Sequence, residues 1–343
     1  MREIKSNKNS PLKKIFIKLC RIFGFEVIDQ SNFYIPTSNK SLDQSISIAG
    51  KRSINLPLGK VNITRPIKSL DVILRTCMSV NMLTQSKKRI FEKSKDEYTK
   101  RTLISIIKSI NHAKNIFENV RFKIFIIDHN SEKDQIKNIK NILDNSNINF
   151  EILNLKLEEF SNQIKKINEE NKEVTSNQKS NMSNIHKSLL LSKEKSEDLV
   201  YLVEDDYIHQ KDSFSEMLYA YERIASLTEK ELIICPTDYP YLYTKIDPTN
   251  IFLGSTKHWR VVGETLCTFL TSINILQKHW NKFTSMCQFE HYPFEQPLHD
   301  IYKSEYCLSP IPSLALHCTN VNSIYGLSPT MNWKKIWDEN ENY

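Results

Sequence analysis

The chain has 343 residues, enough to bury a sizeable core as one large domain or two smaller ones. At 40% hydrophobic and 25% charged it has the composition of a globular protein, and no window of 18 apolar residues is present to cross a bilayer. The 47 basic and 40 acidic residues leave a net charge of +7, which suits an anionic partner; the basic residues are dispersed and carry no recognised motif, so nucleic acid is not expected among the partners.

In chain order, the first part is a basic extension and linker, residues 1–66. No apolar signal region with a cleavage site follows its basic start. The segment "PLKKIFIKLCRIFGFEV", residues 11–27, interleaves Lys13, Lys14, Lys18 and Arg21 with Ile15, Phe16, Ile17, Leu19, Ile22 and Phe23. As a helix it suits an anionic membrane surface, with cations at the headgroups and apolar side chains below. A helix packed on the main domain is the other reading. Residues 36–66 are polar and punctuated by Pro and Gly, as in a linker with one or two short strands.

The second part begins with "SLDVILRTCMS", residues 69–79, a β-prone run that breaks into small polar residues. A helix-period stretch over about 86–118 follows, with an apolar stripe of Leu103, Ile104, Ile106, Ile107 and Ile110. "RFKIFIIDHNSEKD" is a second strand ending in Asp128, His129, Asn130 and Ser131; "KDQIKNIKNILDNS" is a helix, and "NFEILNLK" a third strand. Alternating strands and helices imply an α/β fold with a mostly parallel central sheet flanked by helices. Ligands of such sheets bind outside the carboxyl ends of the strands, where Arg75, Thr76, Asp128 and Asn130 fall. Residues 158–184 begin as a possible helix and then read as a solvated low-complexity connection. "NIHKSLLLSKEKSEDLVYLVEDDY" supplies one more helix and a fourth strand, ending in Glu204, Asp205 and Asp206. Three adjacent carboxylates at the mouth of a sheet repel one another unless a cation or several donors compensate them. Oxygen ligands in an open arrangement suit Mn²⁺ or Mg²⁺ shared with a substrate's phosphates. The seven cysteines are far apart, without metal-finger spacing, and read as reduced thiols of a cytoplasmic protein.

In the third part, "ELIICPTDYPYLYT" is a strand running into Asp238, Tyr239, Tyr241 and Tyr243; the rings suit sugar faces in an open site and equally suit a core. Lys257, His258, Trp259 and Arg260 form a cluster able to hold a phosphate or an acidic sugar, or to make a surface edge. His317 follows the Pro-bounded run "PIPSLAL" at a strand end. The last residues, "YGLSPTMNWKKIWDENENY", suit a lid over the site at the strand ends.

The motifs "VILRTCMS", "IFIIDHNSEKD" and "VEDDYIHQKDSF", in this order and spacing, resemble glycosyltransferases of the GT-A fold. The Glu-Asp-Asp form is similar to that of inverting N-acetylglucosaminyltransferases. The resemblance covers about residues 69–320 and implies a domain over 67–343, with a nucleotide-sugar half at 67–206 and an acceptor half at 207–343. It implies a nucleoside diphosphate sugar as donor and a glycan or lipid-linked acceptor in cell-surface polysaccharide synthesis, on the cytoplasmic side, at the inner face of the membrane. Asp206 becomes the direct metal ligand, with Glu204 and Asp205 at ribose, metal or bound water, and Asp128 a nucleotide contact. In several GT-A families a late histidine completes the metal's coordination, the place His317 would take. "FEQPLHDIY" resembles the family's Glu-Asp-x-x-Leu helix start imperfectly, so that Glu295 or Asp300 is the base that takes the acceptor hydroxyl's proton. Two other classes remain. A nucleotidyltransferase uses a similar acidic site, but "RTCMSVNMLTQ" lacks the glycines of a triphosphate loop. A non-catalytic carbohydrate- or protein-binding homologue would be favoured by loss of the carboxylates, which are present.

Overall fold

The computed structural model describes residues 11–25, 53–56, 59–79, 89–168, 170–244, 246, 248–288, 295–319 and 323–343. Most of the expected linker, the expected helix start at 86–88, and 291–294 lie outside the described residues.

The centre is a nine-stranded sheet. Its strands are β3 (Ser69–Thr76), β4 (Arg121–Asp128), β5 (Asn149–Asn154), β6 (Leu199–Glu204), β8 (Leu232–Ile234), β9 (Ile251–Leu253), β10 (His258–Val261), β11 (Phe269–Ser272) and β12 (Tyr306–Ile311). Two small ribbons stand apart: β1 (Ser53–Leu56) with β2 (Gly59–Asn62), and β7 (Tyr207–His209) with β13 (Ala315–His317). The large sheet runs β5-β4-β3-β6-β11-β8-β12-β10-β9. Seven of its nine strands point the same way; β10 and β11 are reversed. This is the α/β class expected from the alternating pattern.

Alternation within each strand divides the core into two layers. Val72, Leu74, Ile124, Ile126, Tyr201 and Val203 face one side, and Ile73, Phe125, Ile127, Val200 and Leu202 the other. The first side is covered by α2 (Lys95–Lys114), α3 (Lys133–Asp144) and α5 (Ser213–Thr228). The second is covered by α4 (Ser176–Lys195) and the short helices α6 (Ile273–Lys278), α7 (Trp280–Ser285) and α8 (Gln296–Tyr302). Strands buried on both faces read as continuous apolar runs, which is why β3, β4 and β6 stood out in the sequence.

Two helix expectations are corrected. The helix expected over 86–118 spans only 95–114. The stretch read as a solvated connection up to 184 is helical from Ser176 onward. Thr175 opens α4 with a capping box: its hydroxyl accepts from the Gln178 N–H while the Gln178 side chain accepts from the Thr175 N–H.

The helix α1 (Pro11–Ile22) and its following turn carry Leu12, Ile15, Phe16, Leu19, Ile22 and Phe23 at helical spacing, all of them exposed. No described helix is long and apolar enough to cross a membrane. The C-terminal helix α9 (Trp333–Asp338) lies along α2: Trp337 stacks on Phe91 at 3.8 Å between centroids, meets Tyr98 edge-on, and accepts from Arg101 through its carbonyl.

Candidate active site at a switch point of the sheet

Strand order reverses at β3, with β4 and β5 on one side and β6 on the other. Connections leaving the two middle strands diverge there and open a crevice at their carboxyl ends. Arg75 stands opposite Glu204 in that register, and Thr76 opposite Asp128.

On the β4 side the ends are braced. Asp128 accepts from the Thr76 hydroxyl at 2.7 Å, the Ser131 hydroxyl at 2.5 Å and the Ser131 N–H at 3.1 Å, and Ser131 Oγ accepts from the Met78 N–H at 2.9 Å. Asn130 takes a left-handed conformation, φ 61°, which asparagine tolerates, and its carbonyl accepts from Ser79. The turn thus uses Asp128 to hold β3 and β4 together.

On the β6 side the three carboxylates point to different neighbours. Glu204 Oε1 lies 3.1 Å from Arg75 Nη2. The pair is within ion-pair range but off the hydrogen-bond axis, so this buried Arg75 donor has no acceptor. Asp205 turns toward the first turn of α2, where Oδ2 lies 3.1 Å from the Thr99 hydroxyl and 3.4 Å from Lys95 Nζ, with the Cys77 N–H also at 3.4 Å. Burial works against the Lys95 ammonium, but Asp205, Cys77 and Asp206 outweigh it and raise its pKa. Asp206 Oδ2 faces His317 Nε2 at 3.7 Å. Burial raises the Asp206 pKa; His317 opposes this, and Glu204 and Asp205 add to it.

His317 is held on three sides. Its ring stacks on Tyr207, 4.4 Å between centroids and 7° from parallel. Its Nδ1 lies 2.7 Å from the Tyr325 carbonyl. A carbonyl only accepts, so Nδ1 carries the proton, and in the neutral ring the Nε2 lone pair faces Asp206. The β7–β13 ribbon sets this geometry, pairing Tyr207 with His317 directly.

Glu295 precedes α8 and is buried. Burial pushes its carboxyl up to about 8; the charge of Glu204 adds to this and Arg75 opposes it. The predicted rival, Asp300, is at the surface of α8, paired with Lys303 at 2.6 Å, which holds its pKa below the usual carboxylate range. Of the two, Glu295 faces Glu204 and Arg75, and Asp300 faces solvent.

Asp206 and His317 bring a carboxylate oxygen and an imidazole nitrogen to 3.7 Å of each other, two of the donor types that suit a divalent ion. Asp205 is committed to Lys95 and Thr99. Among the described residues no group of three or more His, Cys, Asp or Glu is arranged to hold a metal. Lys95 and Thr99 were not anticipated. They begin a helix in a lysine-rich stretch, and nothing local marks them as facing the carboxylates.

The expected aromatic acceptor surface is largely interior. Tyr239 and Tyr241 are buried, and Tyr239 shares a 2.7 Å hydroxyl contact with Tyr207. Only Tyr243 is exposed, under the Arg260 guanidinium and bonded to Asp238. The Lys257–Arg260 cluster is dispersed: Trp259 is buried on Glu216, Arg260 pairs with Asp238, and Lys257 borders a separate cavity.

No family model matches the chain, and no curated protein does. Solved structures resembling it include the galactosyltransferase LgtC with donor and acceptor sugar analogues, at 8% identity over 67% of this chain and 70% of that one, TM-score 0.32. Another is the bifunctional glycosyltransferase WbbM, at 10% over 71% and 40%, TM-score 0.37. A UDP-glucose pyrophosphorylase complexed with UDP-glucose matches at 9% over 80% and 97%, TM-score 0.37.

Proposed function

We propose that the chain is a metal-dependent, inverting glycosyltransferase that moves a sugar from a nucleoside diphosphate sugar to a glycan or lipid-linked acceptor. The observation that carries this is the grouping of the Arg75–Glu204 and Asp206–His317 pairs at the carboxyl ends of β3 and β6, with the buried Glu295 within reach of the charges of Glu204 and Arg75. Five chemically active side chains around one crevice suit a reaction needing both charge neutralisation and proton removal.

Asp206 and His317 would hold Mn²⁺ or Mg²⁺, which when bound neutralises charge on the diphosphate. The Arg75 donor that lacks a hydrogen-bond acceptor among the described residues would meet the same phosphates. Asp128 and the strand end at Arg75–Thr76 would border the nucleotide. Glu295 receives the acceptor hydroxyl's proton on a carboxylate oxygen. Its raised pKa makes it a stronger base than an ordinary carboxylate and keeps it mostly protonated at neutral pH. Inversion follows if the acceptor oxygen attacks directly while the diphosphate leaves from the opposite face.

The exposed stripe of α1 supports attachment to an anionic membrane surface. Residues 5–25 contain no acidic side chain, so the helix offers apolar and cationic groups only. Sedimentation with phosphatidylglycerol vesicles tests this; binding is expected to exceed that to phosphatidylcholine vesicles and to be lost in Phe16→Asp.

The central test is calorimetric titration with a panel of nucleoside diphosphates, with and without Mn²⁺, on wild type and Asp206→Ala. One nucleotide is expected to bind, requiring both Mn²⁺ and Asp206. Absence of binding throughout refutes the reading. Turnover of a nucleoside triphosphate with a sugar phosphate would replace it with nucleotidyl transfer.

A further inference from the structure

A cavity of about 1030 Å³ opens away from the strand ends described above. Lys108, Lys211, Lys257, Lys335 and His112 line it, against two carboxylates, Asp212 and Glu339. Lys108 and His112 belong to the far half of α2, whose first residue, Lys95, touches the carboxylate cluster. Thirteen residues at 1.5 Å each separate Lys95 from Lys108 by about 20 Å. The cavity is therefore a distinct place on the molecule.

Two of its cations are unpaired: neither the Lys211 nor the Lys257 ammonium has a hydrogen-bond or ion-pair partner among the described residues, whereas Lys335 lies 3.7 Å from Glu339. The loop before Lys257 is fixed from below: Glu216 accepts from the N–H groups of Ser255 and Thr256 at 2.9 Å each and from Trp259 Nε1 at 3.2 Å. The turn carrying Lys211 is tied across the cavity floor by Gln210, whose N–H donates to the Leu314 carbonyl and whose amide donates to that of Ser313. Lys108 donates to the carbonyls of Glu339 and Asn342, so it has no carboxylate partner there. The backbone under these lysines is already tied in place, so a ligand need order only their side chains.

We propose that this cavity binds an acidic saccharide, a chain of sugar rings bearing carboxylate or phosphate groups. The cationic lining selects the acid. Asn111, Asn115, Gln210 and Asn332 lie between the cations and supply donors and acceptors for hydroxyl groups. Among the described residues no arginine lines the cavity, so recognition is by point charge rather than by a planar fork. That the ligand is a saccharide rests on the glycosyl-transfer reading; its acidity follows from the lining alone.

The test is calorimetry on the full chain with three probes: hexagalacturonate, glucose 6-phosphate and neutral maltohexaose. An acidic probe is expected to bind, more weakly as salt rises, and to lose at least tenfold in affinity in the Lys211→Glu/Lys257→Glu variant. Which acidic probe binds identifies the carboxylate or the phosphate source. Maltohexaose binding equally well, no acidic probe binding, or affinity unchanged in the variant would overturn the proposal. Nucleoside diphosphate titrated into the same variant reports the donor site separately and is expected to bind as in wild type. If acidic saccharide binds but no nucleotide does, the transfer reading fails and the cavity assignment stands.

Discussion

The Lys95 ammonium lies 3.4 Å from Asp205 Oδ2, so that, with Arg75 at 3.1 Å from Glu204, two of the three carboxylates following β6 already have a cation supplied by the chain. This lysine competes with a divalent ion for the cluster. Replacing Lys95 with Met should raise Mn²⁺ affinity by about tenfold or more, because one unit charge removed from a few ångströms away is worth a few kcal/mol at an intermediate dielectric. Titration of metal alone checks it. Equal affinity in the two proteins would mean that Lys95 and the metal occupy independent positions.

Asp206 and His317 are predicted to act together. Asp206→Asn and His317→Gln should each weaken metal-dependent nucleotide binding by about tenfold to a hundredfold, and the double variant by much less than the product of the two. A double-mutant cycle by calorimetry tests the coupling. Strict additivity would separate the two residues.

Glu295 links activity and stability through one proton. Its folded-state pKa of about 8 lies above the ordinary 4.5, so the folded chain keeps a proton that the unfolded chain has released. Stability therefore falls as pH rises between those values, by up to about 1.4 kcal/mol per pH unit for this group. Activity should rise across the upper part of the same window. Glu295→Gln should remove that stability slope, seen in urea unfolding at several pH values, and cost about 10² to 10⁴ in turnover. A variant with wild-type turnover would exclude Glu295 as the base.

Gly254 sits where a side chain does not fit. A Cβ there would come within 2.1 Å of Glu216 Oε1 and 2.5 Å of Trp259 Nε1. Gly254→Ala should cost about 1–3 kcal/mol through the forced shift of these two groups. The expected readout is a lower urea midpoint with an unchanged denaturant slope; an unaltered midpoint would show that the loop yields freely.

The strands at the site were legible because burial on both faces writes them as unbroken apolar runs that stop at polar residues. Arg75, Asp128 and Asp206 could be placed at strand ends from that signal alone. The start of α4 was hidden by its composition. Ser180, Ser183, Ser188 and Ser192 are buried, small enough for the helix to lie close to the sheet, and the Ser188 and Ser192 hydroxyls bond the carbonyls four residues earlier. The helix has no apolar residue before Met182, so no stripe marks its first turns, and the Thr175–Gln178 capping box was the available sign. Lys95 and Thr99 reach Asp205 only because the crossover places α2 beside the end of β6, a long-range relationship that no local pattern encodes. The splitting of Trp259 from Arg260 has a local cause, since successive residues of β10 point to opposite faces, while Lys257 lies before the strand begins.

The single helix α2 joins the two ends of this molecule. A rod of 20 residues keeps one contact at Asp205 and another at the basic cavity, and its hydrogen bonds fix both the separation and the angle between them. Lengthening it by one residue would turn Lys108 about 100° around the axis relative to Lys95. The helix is thus a ruler: any chain that ran from one end to the other would have its span set by the number of turns between Lys95 and Lys108.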